Sequence, residues 1–216
     1  MQVDIREAMR YLGAAEGGEA LRAQVSAAAG RIQERPRYLY RVMELTRQDG
    51  VPFLPQISME LPGKTAKTLL EDCSQVVLLA CTLGLSFDAF LAREQARSMA
   101  AAVILDACGS ALVEQGCDEA EAEIASRFPG YYFTDRFSPG YGDLPLSLQK
   151  DLCAALDAQR RLGIYLNVSM LMTPQKSVTA LIGLSRKPQM ARIRGCAYCS
   201  MREHCSLRKG GKHCGL

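Results

Sequence analysis

Val76-Val-Leu-Leu-Ala-Cys-Thr82-Leu-Gly84-Leu-Ser86 is the stretch on which the fold class turns. The continuous apolar run from Val76 to Thr82 reads as a buried strand. Ser86 is placed to cap a helix, and Phe87, Phe90, Leu91, Met99, Val103 and Leu112 recur at helical spacing to about Gly116. Outward towards the C-terminus, Asp118 to Phe128 predicts a further helix, and Ser147 caps one that Gly163 closes. Ile164 to Ser169 and Ser177 to Leu184 read as strands around a Pro174 loop. Towards the N-terminus, Ile5 to Leu12 predicts a short helix ended by Gly13. Gly18 to about Glu34 predicts a longer one, stopped by Pro36. Tyr38 to Leu45 alternates like a half-buried strand with Tyr38, Tyr40 and Val42 on one face. Ser58 to Leu61 reads as another strand, and Lys64 to Cys73 as a short helix. Strands and helices interleave without a steady βαβ rhythm and without repeats. The expectation is an α+β fold, a single domain of mixed or antiparallel sheet with several helices.

The chain has 216 residues with 26 basic and 23 acidic groups, 48% of it hydrophobic, so a buried core is well supplied and global disorder is excluded. No apolar run approaches the roughly 20 residues that a membrane span needs. The first residues, Met1-Gln-Val-Asp4-Ile-Arg6-Glu7, carry charge where a secretion signal would be apolar. The expectation is a cytoplasmic protein with no membrane partner. The charge is uneven: residues 186–216 hold eight Lys or Arg against Glu203 alone, and the remaining 185 residues hold 18 basic and 22 acidic groups.

The nine cysteines divide in the same way. Cys73, Cys81, Cys108, Cys117 and Cys153 are scattered among Leu, Val and Ala, where a free thiol behaves as a small hydrophobe. Cys196-x-x-Cys199-x5-Cys205-x8-Cys214 crowds the other four into the last 21 residues, with His204 and His213 each preceding a Cys. Two thiolates three residues apart on a turn can share one metal ion, so this cluster points to a metal-binding tail. Four cysteines are the usual ligands of a [4Fe–4S] cluster, and zinc is compatible with four Cys or with a His in place of one. The expected division is therefore residues 1–185 as the folded body and 186–216 as a basic, Cys-rich metal tail. A nucleic-acid-binding module built on that basic tail is the competing reading. The acidic body, the lack of Trp and the scarcity of aromatics among the tail cations argue against it.

Between Pro129 and Pro145 the chain is rich in Gly, Pro and Tyr: Tyr131, Tyr132, Phe133, Asp135, Arg136, Phe137, Gly140 and Tyr141. Such a loop offers a guanidinium for a carboxylate, aromatic faces for a base or sulfonium, and a glycine that lets backbone approach a ligand. Arg136-Phe-Ser-Pro-Gly140-Tyr141 resembles the Arg-x-x-x-Gly-Tyr signature of the activation (reactivation) domain of cobalamin-dependent methionine synthase. Thr173-Pro-Gln-Lys-Ser177-Val-Thr-Ala180 is similar to that family's Ser-Val-Ser-Gly segment. Arg10-Tyr-Leu-Gly13, Cys81-Thr-Leu-Gly84 and Asp106-Ala-Cys-Gly109-Ser-Ala-Leu-Val-Glu114 resemble stretches of its small stand-alone members, and the pieces follow one another in the family's order.

The resemblance implies a domain that binds S-adenosylmethionine and helps to restore methylcobalamin when the cobalamin of a methionine synthase has oxidised. It implies that Arg136 holds the methionine carboxylate, that Gly140 permits close approach of the backbone to the ligand, and that Tyr141 lines the same pocket. The cobalamin would be carried by the partner, a cobalamin-binding module of a methionine synthase or another corrinoid protein, with this chain acting in trans. A low-potential electron donor is also implied. The family's Tyr pair after the Ser-Val-Ser-Gly strand is replaced here by Ser185-Arg-Lys-Pro-Gln-Met. No catalytic acid–base residue is expected, since the work is placement of a methyl donor.

Overall fold

A computed structural model describes residues 2–189 of the chain. The elements begin with α1 (Ile5–Tyr11), α2 (Glu19–Ala29), β1 (Arg37–Glu44), β2 (Thr46–Gln48), β3 (Val51–Leu54), β4 (Met59–Glu60), α3 (Lys64–Leu69) and β5 (Gln75–Thr82). They continue with α4 (Leu85–Arg97), α5 (Met99–Arg127), β6 (Tyr132–Phe133), α6 (Leu148–Leu156), α7 (Ala158–Leu162), β7 (Tyr165–Leu166), β8 (Met172–Thr173) and β9 (Ser177–Ser185). A four-stranded sheet runs in the order β1-β5-β9-β6, with β2-β3-β4 and β7-β8 as smaller sheets. The architecture is α+β, as the patterning predicts.

The chain forms two compact units. The first takes residues 2–39, Cys81–Ala122 and Ala158–Val178; the second takes Tyr40–Ala80, Glu123–Asp157 and 179–189. In the first unit Ala8, Met9, Val25, Cys108 and Ala111 form a fully buried cluster, flanked by Leu12, Leu21 and Ile32. Asp4 caps α1, its carboxylate accepting from the Arg6 N–H at 2.8 Å and the Glu7 N–H at 3.2 Å. Helix α2 stops at Gly30, short of the predicted end near Glu34. Arg31 leaves the helix to pair with the buried Glu94 of α4 and to lie 5.3 Å over the Phe90 ring.

The helix predicted from Ser86 to Gly116 and the one predicted from Asp118 are divided differently. The break falls at Ser98, in extended conformation with φ −157° and ψ 111°. Its hydroxyl accepts from the Ala101 N–H at 3.3 Å, so Ser98 caps α5. Gly116 does not end a helix. A Cβ there would stand 2.3 Å from Pro36 Cβ, and one at Gly109 would stand 2.4 Å from Phe87 Cζ; both glycines serve close packing inside α5. Nor does Ser86 cap α4, which starts at Gly84. Although no apolar run stood out in the sequence, α5 contains a window long and apolar enough by composition to cross a membrane, at mean hydropathy 1.2. More than half of that window is buried inside the protein, with Leu105 and Cys108 among its core residues.

In the second unit Val76 to Ala80 of β5 and Ala180 to Leu184 of β9 are buried almost without interruption, which is why both strands read as apolar runs. The apolar anchor of β1 lies on the other face from the one expected: Leu39 and Met43 are buried, while Tyr38, Tyr40 and Val42 are half-buried. β2, β3 and β4 form an antiparallel meander in which Asp49 (φ 48°) and Gly50 (φ 75°) make the two-residue turn between Gln48 and Val51. The predicted helix after Ser147 is interrupted at Asp157, in left-handed conformation at φ 53°, and resumes as α7.

Candidate functional site

The Arg136–Tyr141 segment lies in the second unit, held against β9. Tyr132 pairs with Ser185 and Phe133 with Leu184, and the ladder continues through Thr134 and Gly183. The Thr134 hydroxyl also accepts from the Gly183 N–H at 2.8 Å. The next reciprocal pair is Phe137 with Leu181, at 3.0 and 2.7 Å. Two residues, Asp135 and Arg136, therefore face one, Ile182, so that Arg136 sits in a β-bulge between two anchored positions. Bulges turn a side chain away from the direction that regular pairing would give it. Thr134 and Phe137 are buried, while Asp135 and Arg136 are half-buried between them.

Past the bulge the chain reverses. The Tyr141 N–H donates to the Ser138 carbonyl at 3.0 Å and the Gly140 N–H to the Leu144 carbonyl at 2.9 Å. Gly140 has φ +88°, and a Cβ there would press to 3.2 Å on Leu146, so glycine serves both conformation and space. Tyr141 is 39% exposed, with Leu146 and Tyr132 also open to solvent.

Asp143 then fastens the loop to α3, accepting from the backbone N–H groups of Lys64 (2.5 Å) and Thr65 (3.0 Å). These donors, with the Thr65 hydroxyl, hold the Asp143 carboxyl below the usual carboxylate range. Composition had no way to single out Asp143, because its partners lie 78 residues away. At the other end of β6, the Arg186 guanidinium stacks 3.8 Å over the Tyr131 ring, itself edge-on to Phe128 at 5.8 Å.

In the first unit, four of the segments that carried the resemblance converge. Thr82 and Ser177 hydroxyls meet at 2.8 Å, and the Gly84 N–H donates to Thr82 Oγ1 at 3.1 Å. The Leu83 N–H donates to the Lys176 carbonyl, and Lys176 Nζ reaches both Asp106 Oδ1 and Ser110 Oγ at 2.8 Å. Lys176 is 13% exposed, its stem lying against Gly109. The Gln175 N–H donates to Asp88 Oδ2 at the start of α4. Burial, with the Glu114 carboxylate next in weight, pushes the Tyr11 phenol up. This polar network joins residues 82 to 177 and fixes the start of β9.

The five body cysteines are buried and unpaired in disulfides. Burial pushes the thiols of Cys73, Cys108 and Cys153 up to about 11, which leaves them inert near neutrality. Among the described residues no group of three or more His, Cys, Asp or Glu could hold a metal ion. Cys196, Cys199, Cys205 and Cys214 lie outside the described residues.

No protein-family model matches the sequence, and no curated protein matches it. The fold has a counterpart among solved structures. It is similar to the crystal structure of the MetH reactivation domain bound to AdoHcy, with a TM-score of 0.55 and 16% identity over 96% of this chain and 74% of that one. The chain therefore has the fold of a methionine synthase reactivation domain.

Proposed function

We propose that this chain binds S-adenosylmethionine and supports the reductive remethylation of cobalamin carried in trans by a methionine synthase. The observation that carries this reading is the fold shared with a reactivation domain whose crystal structure holds AdoHcy, the demethylated form of that methyl donor. The loop of this chain fits such a ligand. Arg136 is turned out of the ladder by a bulge, Gly140 leaves room where a Cβ would crowd Leu146, and Tyr141 keeps its ring accessible.

Arg136 would grip the methionine carboxylate through two parallel N–H donors, which fix direction as well as affinity. Tyr141 would flank the sulfonium with its ring. S-adenosylmethionine supplies the methyl group, and an external low-potential donor supplies one electron. The chain's own part is to bind and orient the donor and to exclude water around it, so no side chain has to move a proton. A corrinoid protein of another methyltransferase system would be served by the same chemistry. The tail cysteines Cys196, Cys199, Cys205 and Cys214 are proposed as ligands of a [4Fe–4S] cluster or a zinc ion, supported by their spacing; metal analysis of the whole chain beside Cys199→Ala tests it.

Calorimetric titration of S-adenosylmethionine into anaerobically purified protein tests the main reading. Saturable binding is expected, weakened at least tenfold (about 1.4 kcal/mol) in Arg136→Ala with the protein still folded. Equal binding by that variant removes the carboxylate clamp. No binding by folded wild type removes the reading itself.

A further inference from the structure

The β7–β8 hairpin of the first unit displays apolar side chains to solvent. Tyr165 is 50% exposed, Leu171 62% and Val168, at the tip, 98%. Isolated exposed hydrophobics are ordinary, but three within seven residues of one hairpin form a patch. The tip is also built to hold its shape. Asn167 Oδ1 accepts from the N–H groups of Ser169 and Leu171, both at 2.9 Å. The Asn167 N–H donates to the Leu171 carbonyl, and the Met170 N–H to the Asn167 carbonyl, each at 3.0 Å. Below it Tyr165 pairs with Thr173 and Leu166 with Met172. A surface held in shape before contact loses little conformational freedom when it docks.

The hairpin segment itself carries charges of one sign, although Lys176 at its end is paired with Asp106 and Asp88 accepts from the Gln175 N–H. From Ala158 to Val178 there is no Asp or Glu, while Arg160 and Arg161 precede the hairpin and Lys176 follows it. Arg37 joins them, its guanidinium donating to the Leu162 carbonyl at 3.0 Å. Arg37 and Arg161 have no ion-pair partner among the described residues, and both are exposed. Two copies of such a surface repel each other, which disfavours self-pairing. The complementary surface is apolar at its centre and rimmed by carboxylates.

We infer that the Tyr165–Leu171 hairpin is the docking element for the protein that carries the corrinoid, which meets it with an apolar, acid-rimmed face. The partner's identity rests on the proposed function; the docking surface rests on the hairpin itself. A compact three-residue knob favours a protein over a lipid surface, which is bound by broader amphipathic faces.

The test uses the whole chain and, as probe, the purified cobalamin-loaded module of a methionine synthase that lacks a reactivation domain. Wild type is expected to bind it with an affinity that falls as salt rises. Val168→Asp with Leu171→Asp is expected to weaken binding at least tenfold, and Arg161→Glu to weaken it further and flatten the salt dependence. Thermal melts and S-adenosylmethionine titrations should not change in any variant, which separates this inference from the methyl-donor reading. Equal binding by the double variant overturns the inference, as does absence of binding by wild type. So does a wild-type dimer in sedimentation velocity that the double variant abolishes, or hairpin-dependent binding to phosphatidylserine vesicles in place of the module.

Discussion

The two regions that carry the resemblance are tied down by different means. Around the start of β9, side chains make the ties: Lys176 to Asp106 and Ser110, Thr82 to Ser177, Asp88 to the Gln175 backbone. Around Arg136 the backbone makes ties of its own, through Thr134 with Gly183, Phe137 with Leu181 and Gly140 with Leu144. Side-chain ties depend on the identity of each residue. Backbone ties depend on spacing, on glycines and on a few buried anchors. The difference suggests a rigid polar buttress in one unit and a display loop in the other.

The hardest blow to this contrast is Phe137→Ala. Phe137 is 2% exposed and is the largest buried side chain of the loop, so its truncation should cost about 3–5 kcal/mol in urea denaturation. A loss below about 1 kcal/mol would mean that backbone pairing alone holds the loop. Asp106→Ala strikes the other region, leaving the largely buried Lys176 ammonium with Ser110 alone. A loss of about 1–2 kcal/mol is expected, with no change in S-adenosylmethionine affinity. A large drop in affinity would erase the distinction between buttress and display loop.

Asp143→Ala should be the mildest, near 1 kcal/mol for the loss of a helix cap. It also carries a pH signature. Because folding depresses the Asp143 pKa, its contribution is complete above the ordinary carboxylate range and is lost as pH falls through the lowered folded-state value. Wild type should therefore lose more stability on acidification than the variant. Parallel denaturation midpoints from pH 7 to pH 3 would dismiss the Asp143 contacts as energetically idle.

The legible parts of the fold were those in which one strand or helix carried its own signal. β5 and β9 are continuous apolar runs because they are buried throughout. In the long helix glycine is a false sign of an end. Gly109 and Gly116 answer to Phe87 and Pro36 across space, whereas the true break at Ser98 shows only a serine. Of the β2-β3-β4 meander only β4 is legible, within Ser58 to Leu61, although Asp49-Gly50 is a strong hairpin signal; β2 and β3 are short, and β2 is exposed along its length. Arg136, Gly140 and Tyr141 were legible as a motif. The bulge, the Asp143 tie and the Arg186–Tyr131 stack were not, since each joins residues that lie 44 to 79 positions apart.

The bulge at Asp135 and Arg136 makes chain length itself a carrier of information. Thr134 and Phe137 are both locked to β9, and the single extra residue between them sets where the Arg136 guanidinium emerges. Loss of the Asp135 codon would let the ladder close into regular pairing and reverse the side to which Arg136 projects, with every other side chain of the loop still present. Tolerance at this point of the gene should thus follow insertions and deletions more strictly than exchanges of one residue for another.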